Sequence, residues 1–332
     1  MKVLVTGGAG FIGRWVVKRL LKDNNEVTAI DNLSNGNLSN ISEFKSLKNF
    51  SFYKGDIKDN DFLDTIFKNE FDIIFHLAAS INVQDSIDDP KTTFFNDAVG
   101  TFNILQKAKQ QMFGKDSRMQ GDEWNINVEK IHSCKVVFMS TCMVYDKCDE
   151  SGINEKHPTK PVSPYGGSKI AAENMVLSYY HAYGLPAVVI RPFNTYGPFQ
   201  KSGGEGGVVS IFIKSSLEGK PIKIYGSGDQ TRDLLFVKDC AEFIVQCGYN
   251  DNVNGEIVNA GTGEDIKINE LAELISNNRV KVIHVKHIHP QSEIMKLKCD
   301  YSKAQKILAW KPKYNIKDGI METEKWIYNN KL

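Results

Sequence analysis

Apolar residues along this chain fall into two patterns that take turns. Short β-branched runs, such as residues 3–5, suit strands buried on both faces of a parallel sheet. Longer stretches place apolar residues three and four apart, as with Phe11, Ile12, Trp15, Val16, Leu20 and Leu21, which suits amphipathic helices. In the first half the patterns alternate. They predict strands over 3–5, 26–30, 50–53, 72–77 and 135–139. Helices are predicted from Phe11, from Asp59 as a cap to about Asn69, over 92–111, and over 165–183 with Gly184 as the stop. Repeated βα alternation predicts an α/β, doubly wound parallel sheet with ligands at the carboxyl ends of its strands.

The second half is less regular. It offers a buried strand over 187–191, a glycine-rich loop over 203–207, helices over 208–217, 237–249 and 268–275, short strands such as 257–259, and a final amphipathic helix over 316–328. The predicted organisation is a first domain over 1–190 and a smaller C-terminal lobe over 191–332. Some segments of that lobe return to the first domain. Residues 113–133 break the order; they are polar, carry Trp124, lack a period and read as a surface insertion.

Composition excludes several classes. The 332 residues are 41% hydrophobic and 24% charged, ordinary for a globular chain. The formal net charge of +1 argues against a nucleic-acid-binding surface. No apolar run approaches a membrane span. Met1 leads straight into the first strand, so no cleaved signal is expected. The six cysteines are scattered without a C-x-x-C pair, which fits reduced thiols in a cytoplasm. The histidines, among them His76 and the His284, His287, His289 group, read as structural, and no metal is expected.

Two stretches carry chemistry. After the first strand come Gly7, Gly10 and Gly13 at three-residue spacing, and then a helix. Such a turn lets backbone approach a pyrophosphate, and the helix N-terminus offers it unpaired N–H groups. The next strand ends in Asp31, about 20 residues on, where a ribose-binding carboxylate belongs. Further along, Met139-Ser-Thr-Cys-Met-Val-Tyr145 ends a strand, and Ser163-Pro-Tyr-Gly-Gly-Ser-Lys169 opens a helix. Tyr165 and Lys169 are four apart and share a helical face. A free tyrosine has a pKa near 10; a lysine ammonium and a cationic nicotinamide lower it and make a usable base. The Thr141 hydroxyl can share the same substrate oxygen. The set can take a proton from a sugar hydroxyl while hydride leaves its carbon.

Thr6-Gly-Gly-Ala-Gly-Phe-Ile-Gly13, the Ser163 to Lys169 stretch, Arg191-Pro-Phe-Asn-Thr-Tyr-Gly-Pro198, Gly226-Ser-Gly-Asp-Gln-Thr-Arg-Asp233 and Cys299-Asp-Tyr-Ser-Lys-Ala304 together resemble the extended short-chain dehydrogenase/reductases. Within them the chain is similar to the nucleotide-sugar epimerases and dehydratases. The resemblance implies a Rossmann sheet with a substrate-binding lobe, bound NAD, a nucleotide-sugar substrate and a homodimer. It implies catalysis by Thr141, Tyr165 and Lys169. It places Gly7, Gly10, Phe11, Ile12 and Gly13 at the cofactor, with Asp31 and Asn32 at the ribose and Asp56 and Ile57 beside the adenine. Leu77, Ala78, Ala79, Ser80 and Phe193 line the cofactor, and Asn96 supports the site. Asn194, Val208, Arg232 and Glu293 face the substrate.

Two departures shape the reading. Sugar 4,6-dehydratases of the family carry Thr-Asp-Glu or Thr-Asp-Lys where this chain has Thr141-Cys142-Met143. Met143 cannot transfer protons; Cys142 can, if its pKa falls from about 8.5 toward neutral. The pattern is similar at the cysteine to a tunicamycin-pathway 5,6-dehydratase. Epimerases carry an Arg-x-x-Asp pair where Pro290-Gln-Ser-Glu293 stands, without an arginine. The expected activity is transient C4 oxidation of a UDP-hexose with Cys142-assisted chemistry at C5 and C6. The alternatives are a 4-epimerase, with Cys142 an inert pocket wall, and a non-catalytic NAD-binding protein.

Overall fold

The computed structural model describes residues 1–114, 118–120, 123–125, 133–147, 152–203, 207–287 and 293–330. They form two compact units. The first comprises residues 1–140, 163–190 and 244–258; the second comprises 141–162, 191–243 and 259–332.

The first unit is built on a parallel sheet. Its strands are β1 (Lys2–Thr6), β2 (Glu26–Asp31), β3 (Phe50–Lys54), β4 (Ile73–His76), β5 (Lys135–Met139), β6 (Ala187–Pro192) and β7 (Ile257–Ala260). They lie in the order β7-β6-β5-β4-β1-β2-β3. The order reverses at β1, so the crevice beside its carboxyl end is the topological switch point. Register puts Thr6 beside Ile30 on one side and His76 on the other. Leu4, Ile74, Val136 and Val189 are fully buried in one core with Ile104, Leu105 and Val176 from the helices. Burying such a side chain contributes about 1.5–3 kcal/mol.

The helices that position the site are α1 (Phe11–Lys22), α2 (Gly100–Phe113) and α3 (Pro164–Tyr183). Ser163 caps α3 by accepting the N–H of Gly166, Pro164 occupies its first turn, and Gly184 at φ 64° ends it. The helix predicted over 92–111 is not continuous. Pro90–Phe94 is α-helical, Phe95–Val99 makes a π turn, and α2 succeeds it. A π turn inserts one residue and so rotates the helical faces on its C-terminal side, a defect common at functional sites. The helix after Asp59 ends at Ile66, short of Asn69.

The second unit has its own core of Tyr196, Val209, Phe212, Ile222, Leu271 and Ile320. Helices Val208–Leu217 and Val237–Tyr249 match their predicted bounds. Segment 141–162, placed by sequence order in the first domain, groups with this unit. The physical reason is its pairing: Ile153 bridges to Cys299, and Tyr145 donates to Asn259 at 2.7 Å. In the 113–133 insertion, Arg118–Gln120 pairs with Glu123–Asn125; residues 115–117, 121–122 and 126–132 lie outside the described residues, as do 204–206 of the glycine-rich loop. Among the described residues, no helix is long and apolar enough to cross a membrane.

Candidate active site

In the first unit the predicted cofactor residues gather at the carboxyl ends of β1 to β4. Gly7 has φ +70°, and a Cβ there lies 2.9 Å from the Ala78 nitrogen; a Cβ on Gly13 lies 2.0 Å from the Gly7 carbonyl. Only glycine lets turn, helix and the Leu77–Ala78 backbone approach this closely. Phe11, Ile12 and Gly13 form the first turn of α1, whose N-cap is Gly10. Asp31 is buried, and burial raises its pKa against the pull of backbone N–H groups. It accepts from Leu33 at 2.8 Å and Ala9 at 3.1 Å, which aims it across the glycine turn.

A polar chain rims this edge. Asn32 donates to Asp56 at 3.0 Å, Lys58 donates to Asn96 at 2.6 Å, and Asn96 donates to Ser80 at 3.0 Å. Asn103 holds the Ile57 carbonyl at 3.1 Å. Thr6 takes the N–H groups of Leu77 and Ala78 on its hydroxyl oxygen, at 3.2 and 3.1 Å. Its own proton therefore goes to Nδ1 of His76, 2.7 Å away. Nε2–H then donates to Thr101 at 3.0 Å, and Thr101 to the Asp97 carbonyl at 2.5 Å. Burial, followed by the Lys169 charge, lowers the His76 pKa to about 3, so the ring stays neutral.

Tyr165 and Lys169 are both buried on α3. Lys169 donates to the Met139 carbonyl at 2.9 Å, and its ammonium lies 5.1 Å from the Phe138 ring centroid. Burial lowers its pKa, while Asp97 and Glu173 oppose that. Asp97, beside Asn96, is 1% exposed and bonded to Ser80 and Ser168. The sequence reading named Asn96, which donates to Ser80, and did not name Asp97 beside it in the same π turn.

The second unit collects the other candidates. Thr141 caps a short 3-10 turn, Cys142–Val144, by accepting the Met143 N–H at 3.2 Å. Cys142 is 2% exposed. Burial pushes its thiol up to about 12, with Arg232 the first of the influences pulling down. The sequence reading needed a fall toward neutrality; in this chain the group is a protonated thiol, because burial disfavours the thiolate.

Arg232 donates to the carbonyls of Thr231 and Ile294 at 2.7 and 2.8 Å and pairs with Glu293. Glu293 also meets His287 Nε2 at 2.7 Å, a partner the sequence did not reveal. Asp233 is fully buried; burial raises its pKa to about 6 despite the N–H groups of Thr262, Gly263 and Cys299. Asn194 is in a strand beside Leu234, and its Oδ1 is buried without a hydrogen-bond partner among the described residues. Phe193 is buried, and Val208 opens its helix packed on the core. His284 binds the Gly226 carbonyl at 2.9 Å, and His289 lies outside the described residues.

The family described as GDP-mannose 4,6 dehydratase matches residues 4–323. The chain belongs to this family of nucleotide-sugar epimerases and dehydratases. A UDP-glucose 4-epimerase from Mycolicibacterium smegmatis is 34% identical over 99% of both chains. The structure of Pal from Bacillus thuringiensis is 58% identical, covers 99% of this chain and 100% of its own, and superposes with a TM-score of 0.91. A dTDP-glucose 4,6-dehydratase from Streptomyces venezuelae, solved with NAD bound, is 27% identical, covers 100% and 98%, and gives a TM-score of 0.88. The protein is thus an NAD-dependent enzyme of the extended short-chain dehydrogenase/reductase type. The glycine turn that no Cβ can enter and the carboxylate of Asp31 fit this dinucleotide.

Proposed function

We propose that this enzyme acts on a UDP-hexose of the UDP-GlcNAc type, oxidises C4 transiently, and uses Cys142 in chemistry at C5 and C6. NAD, when bound, accepts the C4 hydride and returns it. Tyr165 takes the C4 hydroxyl proton, Lys169 keeps the phenolate favourable, and the Thr141 hydroxyl holds the same oxygen. The resulting ketone acidifies C5. Elimination then removes the C5 proton and the C6 hydroxyl as water; inversion removes the C5 proton and returns one on the other face. In elimination the Cys142 S–H protonates the departing C6 hydroxyl and the thiolate so formed takes the C5 proton; in inversion the C5 proton leaves to solvent water, the Cys142 S–H delivers the new one, and water restores the thiol. Arg232 and Asn194 meet the diphosphate, and Glu293 orients Arg232. Two chains associate as a homodimer.

What supports this reading is the place of Cys142 directly after Thr141, where family members with C6 chemistry carry an acid. Incubation with UDP-GlcNAc in heavy water, followed by NMR of the product, tests it. Inversion is expected to place deuterium at C5, elimination to give a 5,6-alkene that has lost its C5 hydrogen, and Cys142→Ala to slow either by about 10²–10⁴-fold. A second reading, UDP-sugar 4-epimerisation, is favoured by the name of the 34% identical relative. It requires a product that keeps its original C5 hydrogen, carries no deuterium there, and forms equally fast with Cys142→Ala.

A further inference from the structure

His287 takes no part in the reaction above, yet its ring is joined to Arg232 through one carboxylate. Nε2 lies 2.7 Å from Oε2 of Glu293, whose other oxygen pairs with Arg232. In an ion pair with Arg232, Glu293 is an acceptor only, so Nε2 carries hydrogen and donates. That holds for the neutral ring and for the imidazolium alike. The ring is also held from a second side. A Cβ on Gly226, at φ +78°, lies 3.2 Å from the ring's Cδ2, and the Gly226 N–H donates to the Val285 carbonyl at 2.9 Å.

Arg232 has five N–H groups in one plane. Both on Nη1 are taken, by the carbonyls of Thr231 and Ile294 at 2.7 and 2.8 Å, and one on Nη2 goes to Glu293. The Nε–H and the second Nη2–H meet no acceptor among the described residues. Two coplanar donors left over on one guanidinium suit two oxygens of a phosphate. A carboxylate beside them is a competitor. With a single partner, Glu293 has other rotamers open to it and can swing onto the open N–H pair. With Oε2 held by His287, Oε1 stays on its one Nη2 proton and the open pair stays clear.

We propose that His287 is a positioning residue for substrate binding: it ties Glu293 back and so keeps the remaining N–H pair of Arg232 open to the diphosphate of a nucleotide sugar. The proposal rests on the reading of Arg232 as a diphosphate contact. His287→Gln places an amide N–H near the former Nε2, whereas His287→Ala leaves Oε2 without this donor.

The test is calorimetric titration of the NAD-bound enzyme with UDP, which carries the diphosphate and no sugar. His287→Ala is expected to raise Kd about 3–10-fold, the scale of one lost hydrogen bond, and His287→Gln to return it to within about twofold of wild type. Uridine, which lacks the diphosphate, is expected to bind wild type and His287→Ala within about twofold of each other by ligand-observed NMR. An unchanged Kd for UDP in His287→Ala, or an equal loss for uridine, overturns the proposal. If that variant does not fold, the wild-type enzyme still decides. Its ¹⁵N-histidine NMR spectrum, with the signal assigned by its loss in His287→Gln, is expected to show hydrogen on Nε2, and a bare Nε2 overturns the proposal. Arg232→Lys separates the proposal from the reading beneath it. If UDP affinity is unchanged in Arg232→Lys, Arg232 is no diphosphate contact and both fail. If Arg232→Lys weakens UDP binding and His287→Ala does not, the proposal alone fails.

Discussion

Arg14 reaches from the first turns of α1 to pair with Glu43, while its guanidinium stacks 4.5 Å from the Trp15 ring centroid. The side chain is 1% exposed, Nε donates to the Asn40 carbonyl at 2.9 Å, and burial lowers the pKa to about 10. The cation that directly follows the glycine turn is therefore already matched by a carboxylate. With Asp31 across the glycine turn, a 2′-phosphate meets net negative charge. NAD is expected to bind at least about tenfold more tightly than NADP, about 1.4 kcal/mol, by calorimetry. Glu43→Gln narrows that gap; comparable affinities in the wild-type enzyme contradict the argument.

The neutral His76 links stability to pH. Its folded pKa, about 3, lies below the unfolded value of 6.5. Between those values the unfolded chain binds the extra proton, so stability rises with pH across this window and is lost on acidification. The gap between about 3 and 6.5 corresponds to roughly 5 kcal/mol at most. His76→Leu is expected to be less stable at pH 7, because Thr6 and Thr101 lose their partner. Its melting temperature, however, should fall less than that of wild type between pH 6.5 and 4. Parallel curves would falsify the assignment.

Tyr165→Phe removes a proton acceptor and almost no volume. C4 oxidation is expected to fall by at least about 10²–10⁴-fold, with NAD binding unchanged. Turnover near wild type means that another group takes the proton.

Arg232→Lys keeps the charge but loses the fork that reaches Thr231, Ile294 and Glu293 together. KM for UDP-GlcNAc is expected to rise about tenfold with little change in kcat, the mark of ground-state binding. An unchanged KM removes Arg232 from the substrate contacts.

Phe94, Phe95 and Phe102 are 48%, 45% and 39% exposed, whereas Ile104 and Leu105 are buried in the chain's own core. The apolar residues of these helices therefore serve two faces, one inside the unit and one at its surface. Light scattering at micromolar concentration is expected to give twice the chain mass, and Phe95→Lys with Phe102→Lys to give the monomer. A monomeric wild-type protein contradicts the homodimer.

Local pattern made much of this protein legible. The order of strands and helices, the glycine turn, the Asp59 cap, the Gly184 stop and the four-residue spacing of Tyr165 and Lys169 are short-range features. Each depends on backbone geometry within a few residues, which the chain itself specifies. Tertiary structure decided the rest. The burial of Asp97 and Ala98 falls in a π turn, in a stretch whose apolar period looks like an unbroken helix. Whether Cys142 is a thiol or a thiolate depends on burial and on the opposing charges of Arg232 and Asp233, far along the chain. Arg14 and Glu43 are 29 residues apart, and Arg232 and Glu293 are 61 apart. Charge pairing and desolvation act through space, and periodicity in a sequence carries no record of which distant segments the fold will press together.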